Sequence, residues 1–223
     1  LDLGRFTASI DGDLVVLRVD PARWEIRYLA APDGPRTTAR WCEELDLVAA
    51  VNAGMYQADG RSHVGFLQLD GEVRQGWVND YLSAVVLDPA ERDAAPFRIV
   101  DLDAAALDSL RARWRTVAQN LRLVKRPGEN RWSPQDRRWC EAALGEDGQG
   151  RALLIHCRTP LSMHDLVTLL LELPLDLVAA QHLEGGQHAQ LSVRAPGYAA
   201  DLTAGDTVVP PPIPNVLTVA RRP

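Results

Sequence analysis

Asp-Gly steps at 11–12, 70–71 and 147–148 divide this chain into short runs of aliphatic and β-branched residues. Such a step between two apolar runs is a strong hairpin signal, because both residues tolerate the left-handed backbone of a tight turn. A chain punctuated in this way builds antiparallel β-structure from neighbouring segments. Strands are expected over 6–10 and 14–19 about the first step, and over 64–69 and 72–78 about the second. The third expected hairpin pairs 138–145 with 151–158 around Asp147-Gly148-Gln149-Gly150. Further strands are expected over 25–29, 46–51, 81–87 (ended by Asp88-Pro89), 177–183, from 189 onward, and over 216–219.

Helical signals are fewer. Thr37 or Thr38 can cap a short helix reaching 45, and 101–113 reads as a second. Ser162 caps a third, to about 173, in which Leu166, Leu169, Leu170 and Leu173 recur at helical spacing and belong to the core. The segment 126–135 carries Pro127, Gly128 and Pro134 and is a loop, and 210–214 is polyproline-like. The expected fold class is α+β: one domain over 1–223, built on a mixed, mostly antiparallel β-sheet with a few packing helices.

Composition excludes some functions. With 24 basic against 30 acidic residues and a net charge of -6, the chain lacks the basic stripe of a nucleic-acid binder. No apolar run reaches the roughly 18 residues of a membrane span. The longest candidate, 166–180, is interrupted by Glu172, Pro174 and Asp176. The chain opens at Leu1 without a charged and apolar leader, as expected either of a trimmed sequence or of a mature protein whose leader has been removed. Nothing in the sequence specifies an oligomeric state.

Cys42, Cys140 and Cys157 show no metal-binding spacing. If the four residues 147–150 form the loop of the third hairpin, Cys140 faces Cys157. Two readings stay open there: a pair of buried thiols on one face, or a disulfide, which would point to an oxidising compartment. The same register sets Glu141 opposite His156 and Trp139 opposite Arg158, on the other face. A carboxylate, an imidazole and a guanidinium would then share a surface with an indole able to stack on a sugar. Arginine suits phosphate because its planar fork donates two parallel hydrogen bonds. A cross-strand ion pair with aromatic packing is the plainer alternative.

Three blocks in order carry a family resemblance. Val51-Asn52-Ala53-Gly54-Met55-Tyr56 ends a strand in a Gly turn and leads through Asp59 to Val64-Gly65-Phe66-Leu67 and Asp70-Gly71. Ala118-Gln119-Asn120 with Leu123-Val124 forms the second. In the third, a strand ends at Leu144-Gly145, a helix follows, and the next strand runs Ala179-Ala180-Gln181-His182-Leu183-Glu184-Gly185-Gly186. Together, clearest over 46–219, they resemble the phosphodiester glycosidase family, whose members cut a sugar from a phosphate. This is a divergent member. His182 stands where the family has Asn, Glu184 where it has Asp, and Gln187-His188-Ala189 where it has Gly-Ser-Ser. Glu141-Ala142 replaces an Arg-Thr pair.

The resemblance implies a hydrolase acting on a sugar phosphate or glycoconjugate, with no cofactor, in the periplasm or outside the cell. Glu184 is then the principal carboxylate and Glu141 the second, as paired carboxylates serve glycosidases. Arg158 would take the phosphate, and Asn52, beside Gly54, would orient substrate. His182 and His188 would be proton shuttles or ligand contacts, with His156 nearby and Gly185 and Gly186 admitting the ligand closely. Two alternatives remain: a non-catalytic carbohydrate- or envelope-binding module on the same fold, or a hydrolase holding a divalent metal through His182, Glu184 and His188. His63, beside Asp59 and Arg61, is a loop histidine that could join the pocket.

Overall fold

The computed structural model describes residues 2–9, 12–31, 33–205 and 209–222. Three antiparallel sheets dominate it. The first is ordered β1 (Asp2–Ser9), β2 (Gly12–Val19), β12 (Ala152–Leu161), β11 (Trp139–Asp147), β13 (Leu177–Gly185), β10 (Arg122–Val124). The second is ordered β15 (Tyr198–Leu202), β14 (Leu191–Ala195), β4 (Ala49–Asn52), β16 (Asn215–Arg221), β3 (Trp24–Ala30). The third is ordered β6 (Glu72–Gln75), β5 (Leu67–Leu69), β9 (Trp114–Asn120), β7 (Ser83–Pro89), β8 (Phe97–Asp101). The α+β class holds. Among the described residues every pairing of neighbouring strands is antiparallel. The strand–helix–strand order about 162 still yields two parallel strands, β12 and β13, with β11 paired between them.

The three sheets share one apolar interior, to which Leu17, Val51, Val85, Leu87, Phe97, Leu144, Leu154, Leu183, Leu191 and Leu217 all contribute. Alternation along each strand sends the intervening side chains to the outer faces, and helices cover part of these. Helix α1 (Thr38–Leu45) closes on the second sheet through Trp41, Cys42 and Ala50. Helix α2 (Leu107–Arg113) contributes Leu110 to a cluster with Val86 and Val117 of the third. Helix α3 (Met163–Glu172) lays Met163, Leu166, Val167 and Leu170 against Ile155, Ala143 and Ala180 of the first. The caps lie where the sequence puts them: Thr37 accepts the Arg40 amide and Ser162 the Asp165 amide. No helix among the described residues is long and apolar enough to cross a membrane.

Several expectations are corrected. β1 and β2 pair antiparallel as the first hairpin requires, while Asp11 of the expected Asp11-Gly12 turn lies outside the described residues. The helix expected over 101–113 begins only at Leu107. Asp101 ends β8 instead, where its carboxylate accepts the Arg126 amide at 3.0 Å and pairs with Arg122 at 3.4 Å. β8, β9, β10 and β15 are strands that the sequence signals do not announce.

The most consequential correction is one residue of register. The Asp147 amide donates to the Arg151 carbonyl, so the β11–β12 loop is the three residues 148–150, with Gly150 at φ +75°. This is the three-residue hairpin with a left-handed third position. A slip of one flips every side chain to the other face. Glu141 is therefore opposite Cys157 and Ala142 opposite His156, and a further irregularity between Trp139 and Glu141 sets Trp139 opposite Leu161. Cys140 packs in the shared interior and Cys157 under α3, so they lie on opposite faces and all three cysteines are free and buried. The disulfide argument for an oxidising compartment falls away.

Candidate active site

Two glycine turns, one from each of two sheets, meet at one place. β4 ends at Asn52, whose side-chain Oδ1 accepts the Gln190 amide at 2.9 Å, fastening it to the segment that follows the Gly185-Gly186 turn. Gly54, at φ +128°, sits so close to Asn120 that any side chain there would collide with the Asn120 amide. Asn120 Nδ2 in turn donates to the Ala53 carbonyl at 3.3 Å. Past this turn, the Tyr56 ring stands edge-on to the His188 ring, with centroids 5.4 Å apart. Gly186 opens the short 3-10 turn that presents His188. The end of β4 is thus tied to the segment that follows the Gly185-Gly186 turn, and Asn52 itself is buried in that tie.

On the first sheet, β11 and β13 lie side by side and bring Glu141 against His182. Glu141 Oε1 bonds His182 Nδ1, and Trp139 Nε1 donates to Glu141 Oε2 at 2.8 Å. Both partners are buried, Glu141 1% and His182 4% exposed. Burial is the main influence on Glu141 and raises its pKa, against the pull of His182 and the Trp139 N–H. Burial opposes charge on His182 too, but the Glu141 carboxylate, its hydrogen bond and Glu184 together outweigh it and raise that pKa. Both shifts express one tendency: the pair holds on to its protons. With Nδ1 engaged, the free valence of His182 is at Nε2, which no hydrogen bond among the described residues occupies.

Glu184 is the accessible carboxylate. It is half-buried near the end of β13, and its Oε1 accepts the Gly185 amide at 3.0 Å. Its charge is felt by Glu141 and His182 and by two tyrosines outside the strands, Tyr56 and Tyr81. Burial first and Glu184 second push the Tyr56 phenol up to about 12. Tyr81 is likewise raised, by burial, Asp80 and Glu184. The tyrosines were missed in the sequence. Tyr56 lies inside a quoted motif, but only tertiary contact places it near the carboxylate.

Other expected members lie elsewhere. His156 faces away from Glu141 and is buried beneath the turn, Nε2 3.3 Å from the Ala189 carbonyl; burial lowers its pKa to about 4. Arg158 is exposed and donates to the Gly205 carbonyl at 3.1 Å. His63 is an interior residue, Nε2 2.7 Å from the Gln119 carbonyl and Nδ1 3.4 Å from the Tyr28 hydroxyl, its pKa also lowered to about 4 by burial. The set His182, Glu184 and His188 is not assembled as ligands. His182 Nδ1 is turned to Glu141 and His188 to Tyr56, and among the described residues no group of three His, Cys, Asp or Glu is placed to hold an ion. A separate cleft of about 480 Å³ runs along β3, lined by Tyr28, Arg27, Asp88 and Arg222, and contains none of these residues.

A family model described as phosphodiester glycosidase matches residues 46–220. No curated protein sequence matches the chain. Among solved structures, the catalytic domain of zebrafish N-acetylglucosamine-1-phosphodiester alpha-N-acetylglucosaminidase, auto-inhibited by its pro-peptide, superposes with a TM-score of 0.73 at 14% identity. That match covers 99% of this chain and 83% of that one. A hypothetical protein from Synechocystis superposes with a TM-score of 0.68 at 13% identity, covering 98% of this chain and 61% of that one.

Proposed function

The chain belongs to the phosphodiester glycosidase family, and on that premise we propose that it is a hydrolase cleaving a sugar from a phosphodiester-linked glycoconjugate, with Glu184 and His182 at the reacting bond. One observation carries this reading: a buried Glu141–His182 pair lies beside the half-buried Glu184 where two glycine turns converge. Glu184 supplies the carboxylate that attacks the anomeric carbon as the glycosidic C–O bond breaks, and water, giving its proton to the His182 imidazole, then displaces Glu184 and frees the sugar. The carboxylate's hydrogen bond from the Gly185 amide fixes its direction. Glu141, sealed from solvent, does not meet substrate in this scheme. It positions His182 and favours the imidazolium, whose Nε2 then donates a proton to the departing oxygen. A phosphate is already a good leaving group, so the second accessible carboxylate of other glycosidases is dispensable here. An extracytoplasmic location belongs to the same proposal and rests on family resemblance.

Reducing-sugar release from a panel of glycosyl phosphodiesters and neutral nitrophenyl glycosides, with and without EDTA, tests the proposal. Release that survives EDTA and disappears in Glu184→Gln is the expected result. Binding of a sugar phosphate with no turnover of any substrate would favour the carbohydrate-binding module instead.

A further inference from the structure

Arg158 was the residue expected to meet phosphate, and its guanidinium is turned to the Gly205 carbonyl. The site otherwise displays carboxylates. The charge of Glu141 is offset by His182, while Glu184 repels an approaching anion. Another arginine is better placed. The guanidinium of Arg137 lies over the Trp139 indole, 5.2 Å from the ring centroid. That same indole donates to Glu141 and packs against Gly185, close enough that a side chain at 185 would strike its Cδ1 and Nε1. Arg137 is exposed and has no carboxylate partner among the described residues, whereas its neighbour Arg138 is committed to Asp165 at 3.0 Å.

We propose that Arg137, held on the face of Trp139, is the oxyanion-binding residue of the site and takes a phosphate group of the substrate. Stacking suits this task. A guanidinium laid on an aromatic face keeps its in-plane N–H donors free, so the fork that grips a phosphate is oriented without being consumed. The indole connects both halves of the site: one ring touches the cation, bonds the Glu141 carboxylate and abuts the turn that follows Glu184. A phosphate held there would have its charge met at the rim by Arg137 while the sugar reaches the carboxylate beyond Gly185. The phosphate could be part of a diester or a free product ion; both present the same oxygens.

This inference rests on the hydrolase reading for its substrate, so its test uses a readout that needs no turnover. Inorganic phosphate and a sugar 1-phosphate are titrated into the full chain while the Trp139 indole N–H is followed by NMR, assigned through Trp139→Phe. Wild-type protein is expected to show a saturable shift of that resonance. Arg137→Gln should weaken binding by about 10- to 100-fold, as expected for the loss of a charge-assisted pair, and Arg137→Lys should fall between them. Arg98→Gln, on the exposed side of β8, should bind as wild type does. In kinetics, Arg137→Gln should raise KM for phosphodiesters more than for neutral nitrophenyl glycosides. Phosphate affinity equal in wild type and Arg137→Gln, or no shift at Trp139, overturns the assignment whatever the activity. If phosphate binds at Arg137 yet no glycoside is hydrolysed, the subsite stands and the hydrolase reading fails.

Discussion

The indole of Trp139 occupies the space that a side chain at Gly185 would need. Gly185 has an extended backbone, φ -119°, which any residue can adopt, so its requirement is close approach rather than unusual torsion. Gly185→Ala should therefore lower stability by about 1–3 kcal/mol, the usual cost of overpacking. In a Trp139→Ala background the same change should cost much less. Urea denaturation of the four proteins of this double-mutant cycle measures the coupling directly.

Glu184→Gln keeps the size and most of the hydrogen bonding of the side chain but removes its charge. It should reduce kcat by about 10²- to 10⁴-fold. The side chain is half-buried and among the described residues bonds only its own neighbour's amide, so the urea midpoint should stay close to wild type. An unchanged kcat would remove Glu184 from the reaction.

The acid limb of stability should belong to His63 and His156. Burial depresses both to about 4, below the 6.5 of an exposed imidazole. Their contribution is complete above pH 6.5, where both states are neutral, and is lost as pH falls toward 4, because the unfolded chain takes up protons first. The shifts correspond to a loss on the order of 3 kcal/mol for each histidine. The gap between urea midpoints at pH 7 and pH 4.5 should shrink in His63→Gln.

The alkaline limb should carry the opposite sign. The folded-state pKa values of His182 and Glu141 are both raised, so the folded protein binds more protons than the unfolded chain. Stability from His182 is complete below pH 6.5 and is lost as pH rises through its raised folded value. Denaturation midpoints followed from pH 6 to pH 9 should fall in wild type and be flatter in His182→Asn.

Much of this architecture was legible because its signals are local. The cap at Ser162, the leucine stripe of α3 and the Asp70-Gly71 turn each depend on residues a few positions apart, and each appears where the sequence put it. The third hairpin was legible in existence but not in register. Its loop has three residues rather than four, and that single step separated Cys140 from Cys157 and Glu141 from His156. The true partner of Glu141 is His182, on a strand reached only after a helix, and no hairpin arithmetic leads to it. The glycine turns were legible from the resemblance. Tyr56, Tyr81 and Arg137 were not, because their places depend on how separate sheets and a long loop come together.

The candidate site draws on two sheets: Asn52 ends β4 of the second and leads into the Gly54 turn, while Glu141, His182 and Glu184 lie on β11 and β13 of the first. Neither half of the polypeptide owns a working cleft. A chain cut within the loop at 126–135 would separate β4 from β11 and β13, so any turnover would require the pieces to reassociate and the apolar interior to close. Turnover would then double as a gauge of assembly, sensitive to any defect that lets the sheets part even while each keeps its own hydrogen bonds.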